Sequence, residues 1–476
     1  MRIFFLLISL FLSEVIFAQN TFNRTYVDSS NWAASGGNAI ELNGEFITAS
    51  RGQGLTLNSN YTMLTKVNQN GELIKRLFTH RPFEKECWGG IGVETTSNND
   101  VYTYVGERLI SNSTKFNINI TKYTTDFDTV WNLKNADSSS IDLPLSSKAI
   151  NNLIYVAGLR GVENSNPQAE NGILLVADTS GNQVNFNQYN LENTSHRLFS
   201  IAKGEANKVL LGGSRSDSLY YGLVLKTDSL GNLIWHRWYP ELWGVNISEY
   251  LDSTYLLTSW TPNGIGSIIT KIDSNGDVIW QRTYLYGTGL TLYKSIKTLD
   301  GGIVSVGLAN VATQNFDDAY IQKVDAQGNL IWQNSFNGIG SRVDFFENVI
   351  ETYDGGLLVN GSTNEGTAGG QNLWLVKLDS MGCLEPDCWV GVEQADANTL
   401  GVAVYPNPAT DWLNLKYDNT RKITLEIFNL SGQTVLQHQH MAPKESIEIS
   451  HLPAGLYLLR FVDEFGNMAT EKLVVE

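Results

Sequence analysis

The chain has 476 residues, which is too many for one ordinary domain and enough to bury a large core. Aromatic residues make up 11% and charged residues 17% of the sequence, a mixture that favours folding over disorder. The formal net charge of −16 and the lack of any Lys/Arg cluster argue against a nucleic-acid partner and favour a soluble, acidic exterior.

The first segment predicts a secretory signal peptide over residues 1–18, with cleavage between Ala18 and Gln19. Arg2 gives a positive start, Ile3 to Leu12 is apolar, and a small residue precedes the cut. The alternative is a membrane anchor, but polar residues interrupt the apolar run before it reaches the roughly 20 residues that a bilayer span needs.

Residues 19–389 contain a repeated element that reads Lys-x-Asp-x-x-Gly-x-x-Ile-Trp. Its clearest copies contain Asp228, Gly231 and Trp235, then Asp273, Gly276 and Trp280, then Asp325, Gly328 and Trp332. Looser copies begin at Lys66, Lys122, Val176 and Lys377, which makes seven. The Asp carboxylate can accept hydrogen bonds from turn amides and the Gly can close the turn, so each copy predicts a β-hairpin.

A second element alternates with the first. It is a turn followed by a short strand, with its best copies at Asp300-Gly-Gly and Asp354-Gly-Gly and others near Asn43, Asn99, Asn151, Asn207 and Asp252. Asp-Gly-Gly favours positive φ and a second hairpin. Two hairpins give four strands, which is one blade, and the period of about 50 residues is typical of propellers. We therefore predict an all-β body that is a seven-bladed β-propeller.

Closure of the propeller can also be predicted. Trp131, Trp235, Trp280 and Trp332 share one repeat position, where we expect them to wedge between neighbouring blades. The segment from Phe22 to Tyr26 is similar to the fourth strand of a blade, and the seventh repeat loses that strand at Cys383. The N-terminal strand can therefore complete the last blade. A sealed ring exposes no sheet edge to another chain, and we expect a monomer.

The body resembles the repeat-containing propellers of secreted Bacteroidota proteins over roughly residues 20–390, and the repeat count is the specific feature. The Asp-x-x-Gly-x-x-x-Trp pattern also looks like the tryptophan-docking repeat of quinoprotein dehydrogenases. That family has a longer turn, eight blades and a paired-Cys quinone site, none of which this sequence matches. The resemblance therefore implies a fold and no active site.

The C-terminal region begins after a polar segment, residues 390–400, that reads as a linker. Residues 401–476 contain about seven short alternating runs separated by turn residues, which predicts a small Ig-like β-sandwich. The candidate motif residues in this region are Tyr405, Pro406, Asn407, Pro408, Gly432, Gly455, Tyr457 and Lys472.

By the order and spacing of those motifs, this region closely resembles the type A sorting domain of the type IX secretion system. The resemblance implies contact with that secretion machinery, passage across the outer membrane and removal of the domain. The body is then secreted or stays associated with the outer membrane at the cell surface. The alternative is an ordinary Ig-like binding module.

Three cysteines are present. Cys383 and Cys388 are close enough in an exported chain for a small-loop disulfide, although two separate thiols remain the alternative. Cys87 would then be a buried apolar side chain. His438 and His440 have ligand-like spacing on a strand, but we interpret them as a solvated face and predict no metal site.

The sequence contains no recognisable catalytic motif and no cofactor motif, so no catalytic residue is assigned. Five tryptophans outside the repeat position could stack on sugars or simply pack in the core: Trp32, Trp88, Trp243, Trp260 and Trp374. Two functional classes follow. The first is a non-enzymatic module that binds a glycan or a protein. The second is a polysaccharide hydrolase or lyase whose carboxylates meet at the channel mouth.

Overall fold

The computed structural model describes most of the chain outside residues 1–18. Its described ranges are 19–26, 34–53, 60–79, 85–109, 116–135, 141–161, 170–192, 194–216, 220–251, 253–310, 317–337, 343–363, 371–385, 402–417, 422–429, 434–441, 444–463 and 468–475. The signal-peptide prediction and Cys388 therefore lie outside the described residues. The chain divides into two compact units, Met1–Val390 and Gly391–Glu476, here called the body and the tail.

The body is built from antiparallel strands that we group into modules. Module 1 contains β2 (Ala34–Leu42), β3 (Glu45–Gln53), β4 (Asn60–Val67) and β5 (Leu73–Phe78). Module 2 contains β6 (Lys85–Thr95), β7 (Val101–Leu109), β8 (Asn117–Tyr123) and β9 (Thr129–Lys134). Module 3 contains β10 (Ile141–Ile150), β11 (Leu153–Gly161), β12 (Glu170–Asp178) and β13 (Gln183–Tyr189).

Modules 4 and 5 share a strand. Module 4 contains β14 (His196–Lys203), β15 (Val209–Arg215), β16 (Tyr221–Thr227) and the first half of β17 (Leu233–Glu249). Module 5 contains the second half of β17 with β18 (Tyr255–Trp260), β19 (Ser267–Ile272) and β20 (Val278–Tyr284). The sequence predicts two four-stranded sheets here, but the structure has one seven-stranded sheet. The difference arises because β17 continues through Pro240 and bends at Gly244, whose φ is +72°.

Modules 6 and 7 complete the body. Module 6 contains β21 (Gly289–Lys297), β22 (Ile303–Asn310), β23 (Asp317–Val324) and β24 (Leu330–Phe336). Module 7 contains β25 (Phe345–Glu351), β26 (Leu357–Thr363), β27 (Asn372–Leu378) and β1 (Phe22–Tyr26). The N-terminal strand pairs with β27, with Phe22 opposite Lys377, which confirms that it completes the last sheet. Across the described body, the one helical element is the 3-10 turn Glu205–Asn207.

The hydrophobic core of the body lies between modules. The first strand of each module contacts the first strand of the next, from β2 and β6 through to β21 and β25, and β25 also contacts β2. Seven buried clusters each combine side chains of two consecutive modules, and one of them joins module 7 to module 1. Apolar burial of this kind contributes about 25 cal/mol per Å². The modules are therefore stabilised by stacking on one another.

The repeated Asp forms its turn as predicted. Asp228 Oδ1 accepts hydrogen bonds of 2.9 Å from the backbone N–H groups of Leu230 and Asn232, and Gly231 has φ +83°. In module 2, the Thr124 hydroxyl accepts the equivalent bonds and Phe127 takes the positive-φ position. These aspartates are turn formers, as their spacing indicates.

The repeated Trp packs against the following module, at the position where the sequence predicts a wedge between neighbouring blades. Trp131 Nε1 donates to the carbonyl of Thr179, and Trp280 Nε1 donates to that of Ala326, each over 3.2 Å. A Cβ at Gly382 would lie 2.7 Å from the Trp332 ring, so the glycine leaves room for this ring. A large ring thus fills each of these gaps between modules.

The repeated Lys has a role that the turn pattern did not predict. It forms an ion pair with an acidic residue near the other hairpin turn of its own module. These pairs are Lys66–Glu45 at 2.5 Å, Lys122–Asp100 at 2.8 Å, Lys226–Glu205 at 2.5 Å, Lys323–Asp300 at 2.6 Å and Lys377–Asp354 at 3.0 Å. Burial alone would raise the pKa of Asp300. The hydrogen bonds from Lys323 and Thr298 outweigh this effect and lower the pKa of Asp300 to about 2.

The tail contains the seven strands that its pattern predicts. One sheet contains β28 (Ala403–Tyr405), β29 (Trp412–Lys416) and β32 (Ser446–Glu448). The other contains β30 (Ile423–Phe428), β31 (Thr434–Met441), β33 (Gly455–Asp463) and β34 (Met468–Val475). A single hydrophobic cluster contains Leu413 and Ile447 of the first sheet together with Ile427 and Phe461 of the second. The two sheets therefore share one core.

Candidate functional site

The body encloses a cavity of about 760 Å³ that is lined by the first strands of all seven modules. Successive side chains of a strand point to opposite faces, so one row from each first strand reaches this common space. Eight charged side chains line it: Arg51, Glu94, Lys148, Glu249, Lys294, Lys297, Glu347 and Glu351. They come from modules 1, 2, 3, 5, 6 and 7, and module 4 contributes Ser200. No motif in the sequence singles out any of these residues.

Lys148 and Glu249 form an ion pair between modules 3 and 5. The Lys148 Nζ lies 2.9 Å from one carboxylate oxygen of Glu249 and 3.1 Å from the other. The two side chains keep 33% and 34% of their surface accessible because they border the cavity, although protein surrounds them. Burial would raise the pKa of Glu249, but the Lys148 charge and a bond from the Lys203 amide hold it below its usual value.

Glu94 lies beside this ion pair. Its carboxylate accepts hydrogen bonds from Asn38 Nδ2 at 3.1 Å and from the Ala149 amide at 3.3 Å. Burial raises the pKa of Glu94, against the opposing charges of Lys148 and Lys294. Lys294 donates to Asn348 Oδ1 over 2.5 Å. Burial, together with the neighbouring Lys148, lowers the pKa of Lys294 to about 8. These four ionisable groups are therefore electrostatically coupled across the cavity.

Glu347 is different because no described residue forms a hydrogen bond or ion pair with its carboxyl group. Burial raises the pKa of Glu347 to about 8, and the charge of Arg51 only partly offsets this. Two phenols interact with it. Burial and Glu347 raise the pKa of Tyr293 to about 12, and burial, Glu94 and Glu347 raise that of Tyr104. At neutral pH, Glu347 is thus a neutral acid that can donate a hydrogen bond into the cavity.

Polar donors and acceptors in a cavity of this size fit a small, hydroxyl-rich ligand. In the ranges given above, no three His, Cys, Asp or Glu side chains are arranged to hold a metal ion. His438 Nε2 lies 3.3 Å from Glu445 Oε1, and the side chain of His440 lies outside the described residues.

The tryptophans that we considered as sugar platforms separate into two groups. Trp374 is 2% exposed and lies in the cluster between modules 6 and 7, so it is a core residue. Trp243 and Trp260 are 36% and 40% exposed and lie opposite each other on β17 and β18. Trp32 and the side chain of Trp88 lie outside the described residues.

The structure brings the tail motifs together on the last strand. Asn407 Nδ2 donates to the carbonyl of Lys472 over 2.6 Å, and the Val474 amide donates to Asn407 Oδ1 over 2.9 Å. In the neighbouring strand, Gly455 pairs with Val475 and Tyr457 with Leu473. The segment from Tyr405 to Pro408 and the segment from Gly455 to Tyr457 therefore both contact β34. Gly432 lies outside the described residues.

The cysteines can be placed in part. Cys383 is disulfide-bonded, while Cys388, the partner that the sequence predicts for it, falls outside the described ranges. Cys87 is fully buried on β6, as its prediction as an apolar core side chain requires.

Residues 403–476 match the family model described as the secretion system C-terminal sorting domain. The chain thus ends in a type A sorting domain of the type IX secretion system, which implies interaction with that machinery. It is therefore secreted or associated with the outer membrane at the cell surface. A search of curated proteins finds no match for this chain.

Solved structures resemble the chain at low identity. A protein of unknown function from Dyadobacter fermentans DSM 18053 aligns with TM-score 0.43 and 10% identity over 75% of this chain and 97% of its own. PorZ, a surface component of the type-IX secretion system of Porphyromonas gingivalis, aligns with TM-score 0.27 and 9% identity over 95% and 100%. The polysaccharide lyase Uly1 gives 0.42 and 10% over 72% and 90%. These values are too low to carry a functional inference.

Among the residues placed in the structure, no helix has the length and apolarity to cross a bilayer.

Proposed function

We propose that this chain is a cell-surface β-propeller protein, exported by the type IX secretion system, whose body binds a glycan in the cavity without converting it. The observation that carries the proposal is the cavity lining, to which every module contributes polar or charged side chains from its first strand. Ligand sites of propellers are typically assembled from distant parts of the chain in this way.

Three features support a seven-bladed propeller. Each module has four strands, if β17 is counted once in module 4 and once in module 5. Each hydrophobic cluster of the body joins two consecutive modules, and the series returns from module 7 to module 1. The N-terminal strand is the outermost strand of the last sheet. Stacking around an axis buries every module face and leaves no module without a neighbour.

The proposed layout keeps the boundaries that the sequence predicts. Residues 1–18 are a signal peptide, 19–389 the propeller, 390–400 a linker and 401–476 an Ig-like sorting domain. A source in the Bacteroidota is part of the proposal, and the match of residues 403–476 to the secretion system C-terminal sorting domain supports it.

A glycan fits the cavity better than a strongly charged ligand does. Lys148 and Glu249 neutralise each other, and Glu347 is neutral at pH 7. The other charged side chains of the lining carry both signs, Arg51, Lys294 and Lys297 against Glu94 and Glu351. The lining therefore offers mixed hydrogen-bond donors and acceptors, which hydroxyl groups satisfy in both directions. The carboxyl of Glu347, which has no described partner, would then donate to a sugar oxygen.

The test is a calorimetric titration of the mature secreted protein with cellohexaose, laminarihexaose, mannohexaose and xylohexaose. We expect at least one to bind, and Glu347→Leu to weaken that binding by about tenfold, because it removes a hydrogen bond that ligand binding requires. The exposed Glu241→Leu is the matched control and should bind like the wild type. If none of the four binds, or if Glu347→Leu binds as tightly as the wild type, cavity binding of glycans is wrong.

A polysaccharide hydrolase or lyase is the second candidate. Three carboxyl groups with raised pKa values, Glu94, Glu347 and Glu351, line one cavity, and a general acid must be protonated at the working pH. In the same titrations, new reducing ends or unsaturated sugars that vanish in Glu347→Gln would favour the enzyme. Bound but uncleaved oligosaccharide favours the binding protein.

A further inference from the structure

Three aromatic side chains form an exposed row on the body, away from the cavity. Tyr220 precedes β16, Trp243 lies in β17 and Trp260 ends β18, and they are 52%, 36% and 40% exposed. Trp243 pairs with Tyr221 on one side and with Trp260 on the other, so the row crosses the sheet from strand to strand. None of the three lines the cavity. We call them the aromatic row.

The aromatic row is held in place. The rings of Tyr220 and Trp243 have centroids 5.5 Å apart, and their planes are inclined by 39°. Trp260 Nε1 donates to the carbonyl of Leu292 in module 6 over 3.3 Å, which fixes its orientation. Tyr220 has φ +48°, a backbone conformation that costs energy for a residue with a side chain. A fixed surface loses little conformational entropy when a ligand binds.

The row is not explained by the packing of the body. The repeat tryptophans contact the turns of neighbouring modules, as Trp280 does at Ala326. Trp243 and Trp260 occupy a different place in the repeat, and the hydrophobic cluster between modules 4 and 5 does not include them. Two tryptophans and a tyrosine side by side at the surface, without a packing role, are typical of a binding surface.

The geometry points to a neutral glycan chain as the ligand of the aromatic row. Aromatic faces stack on the apolar faces of pyranose rings, and neighbouring strands lie about 4.8 Å apart, close to the length of one sugar residue in a chain. Successive side chains of the row can therefore meet successive sugars. The net charge of −16 repels polyanions, which selects a neutral chain. This site stands independently of the cavity.

Affinity electrophoresis of the mature secreted protein in gels containing hydroxyethyl cellulose, mixed-linkage β-glucan or glucomannan tests the inference. We expect at least one polymer to retard the wild type, and Trp243→Ala and Trp260→Ala each to lower the affinity about tenfold through loss of one stacked ring. Trp243→Phe should keep most of the retardation. Tyr353→Ala removes an aromatic side chain of the body that is 83% exposed and lies outside the row, and it should behave as the wild type.

The possible results separate the two sites. If Glu347→Leu loses hexasaccharide binding and keeps its retardation in polymer gels, the aromatic row is a second site. If no gel retards the wild type, or if Trp243→Ala and Trp260→Ala run as the wild type does, the row does not bind glycans. If sedimentation instead shows that these variants abolish a dimer, the row is an interface between copies and the inference is overturned. Equal melting temperatures show that the variants are folded.

Discussion

The hydroxyl group of Tyr26 donates a hydrogen bond to the carbonyl oxygen of Gly71 over 2.6 Å. Tyr26 ends the N-terminal strand in module 7 and Gly71 closes the β4–β5 turn in module 1, so this bond joins the two ends of the module series. The same pair recurs between other consecutive modules: Tyr189–Gly231 at 2.7 Å, Tyr239–Gly276 at 2.8 Å and Tyr284–Gly328 at 2.8 Å. The bond is thus a repeated connection between an outermost strand and the next turn.

Replacing Tyr26 with Phe should destabilise the body. The variant leaves the Gly71 carbonyl without this donor, at a cost of about 1 kcal/mol. We expect the melting temperature of the body transition to fall by about 2 °C, as measured by scanning calorimetry on the mature protein. Tyr353→Phe changes a side chain that is 83% exposed and serves as the control. Equal losses in both variants would contradict a role for the Tyr26 bond.

Gly181→Ala and Gly301→Ala should differ in stability. Both glycines have positive φ, +92° and +84°, so alanine costs about 1 kcal/mol of backbone strain at either position. A Cβ at Gly181 would lie 2.8 Å from the Trp131 ring, whereas a Cβ at Gly301 meets nothing within 4 Å. We expect urea unfolding to show an additional loss of about 1–3 kcal/mol for Gly181→Ala. Equal losses of unfolding free energy in the two variants would mean that the Trp131 ring can move away from the new Cβ at no energetic cost.

The repeat turns and the role of β1 could be predicted because their information is local. Asp228 bonds to amides two and four residues further on, a distance that a short motif records. The N-terminal strand contains the fourth-strand pattern in its own sequence, with Tyr26 at the position of Tyr284. These features need no knowledge of distant residues.

The cavity could not be predicted in the same way. Lys148 and Glu249 are 101 residues apart, and no spacing within either strand records that they meet. The continuity of β17 was missed because the sequence around Pro240 suggests a break.

Glu347 should make stability depend on pH. Its pKa in the folded protein is raised from 4.5 to about 8, so the folded state binds this proton more tightly than the unfolded state does. The free energy of unfolding therefore falls as the pH rises from 4.5 towards 8, because the unfolded state releases the Glu347 proton before the folded state does. Each pKa unit corresponds to about 1.4 kcal/mol. Glu347→Gln keeps the shape of the neutral acid, so the variant should gain melting temperature relative to the wild type over this range.

Calorimetry across that pH range measures the effect, with Glu241→Gln as the exposed control. Wild type and Glu347→Gln should melt alike near pH 4.5 and diverge towards pH 8, because burial raises the pKa of Glu347 across this range. A temperature difference that stays constant over the whole range would show that Glu347 is ionised in the folded protein.

Lys148 and Glu249 should be energetically coupled. Lys148→Met or Glu249→Gln alone leaves a charge in the cavity wall without its partner, and the double variant leaves neither. A double-mutant cycle on the free energy of unfolding should give a coupling of about 1–3 kcal/mol. The exposed pair Arg237–Asp277, at 2.6 Å, is the control and should give below about 1 kcal/mol. Equal coupling in the two pairs would show that solvent in the cavity screens Lys148 as bulk water does.

Asn407 should be required for the sorting domain to fold, and through folding for export. Its side chain accepts a hydrogen bond from the Val474 amide and donates one to the Lys472 carbonyl. These two bonds hold the segment from Tyr405 to Pro408 on β34. Asn407→Ala removes both bonds, at a cost of about 1–2 kcal/mol. We expect a lower melting temperature for the tail and retention of the full-length chain in the periplasm, measured by fractionation and immunoblotting. Lys422→Gln, at an exposed position before β30, should be exported normally. Normal export of an Asn407→Ala chain with a lowered tail melting temperature would contradict this prediction. It would mean that the secretion machinery recognises the motif residues even without the hydrogen bonds that hold them on β34.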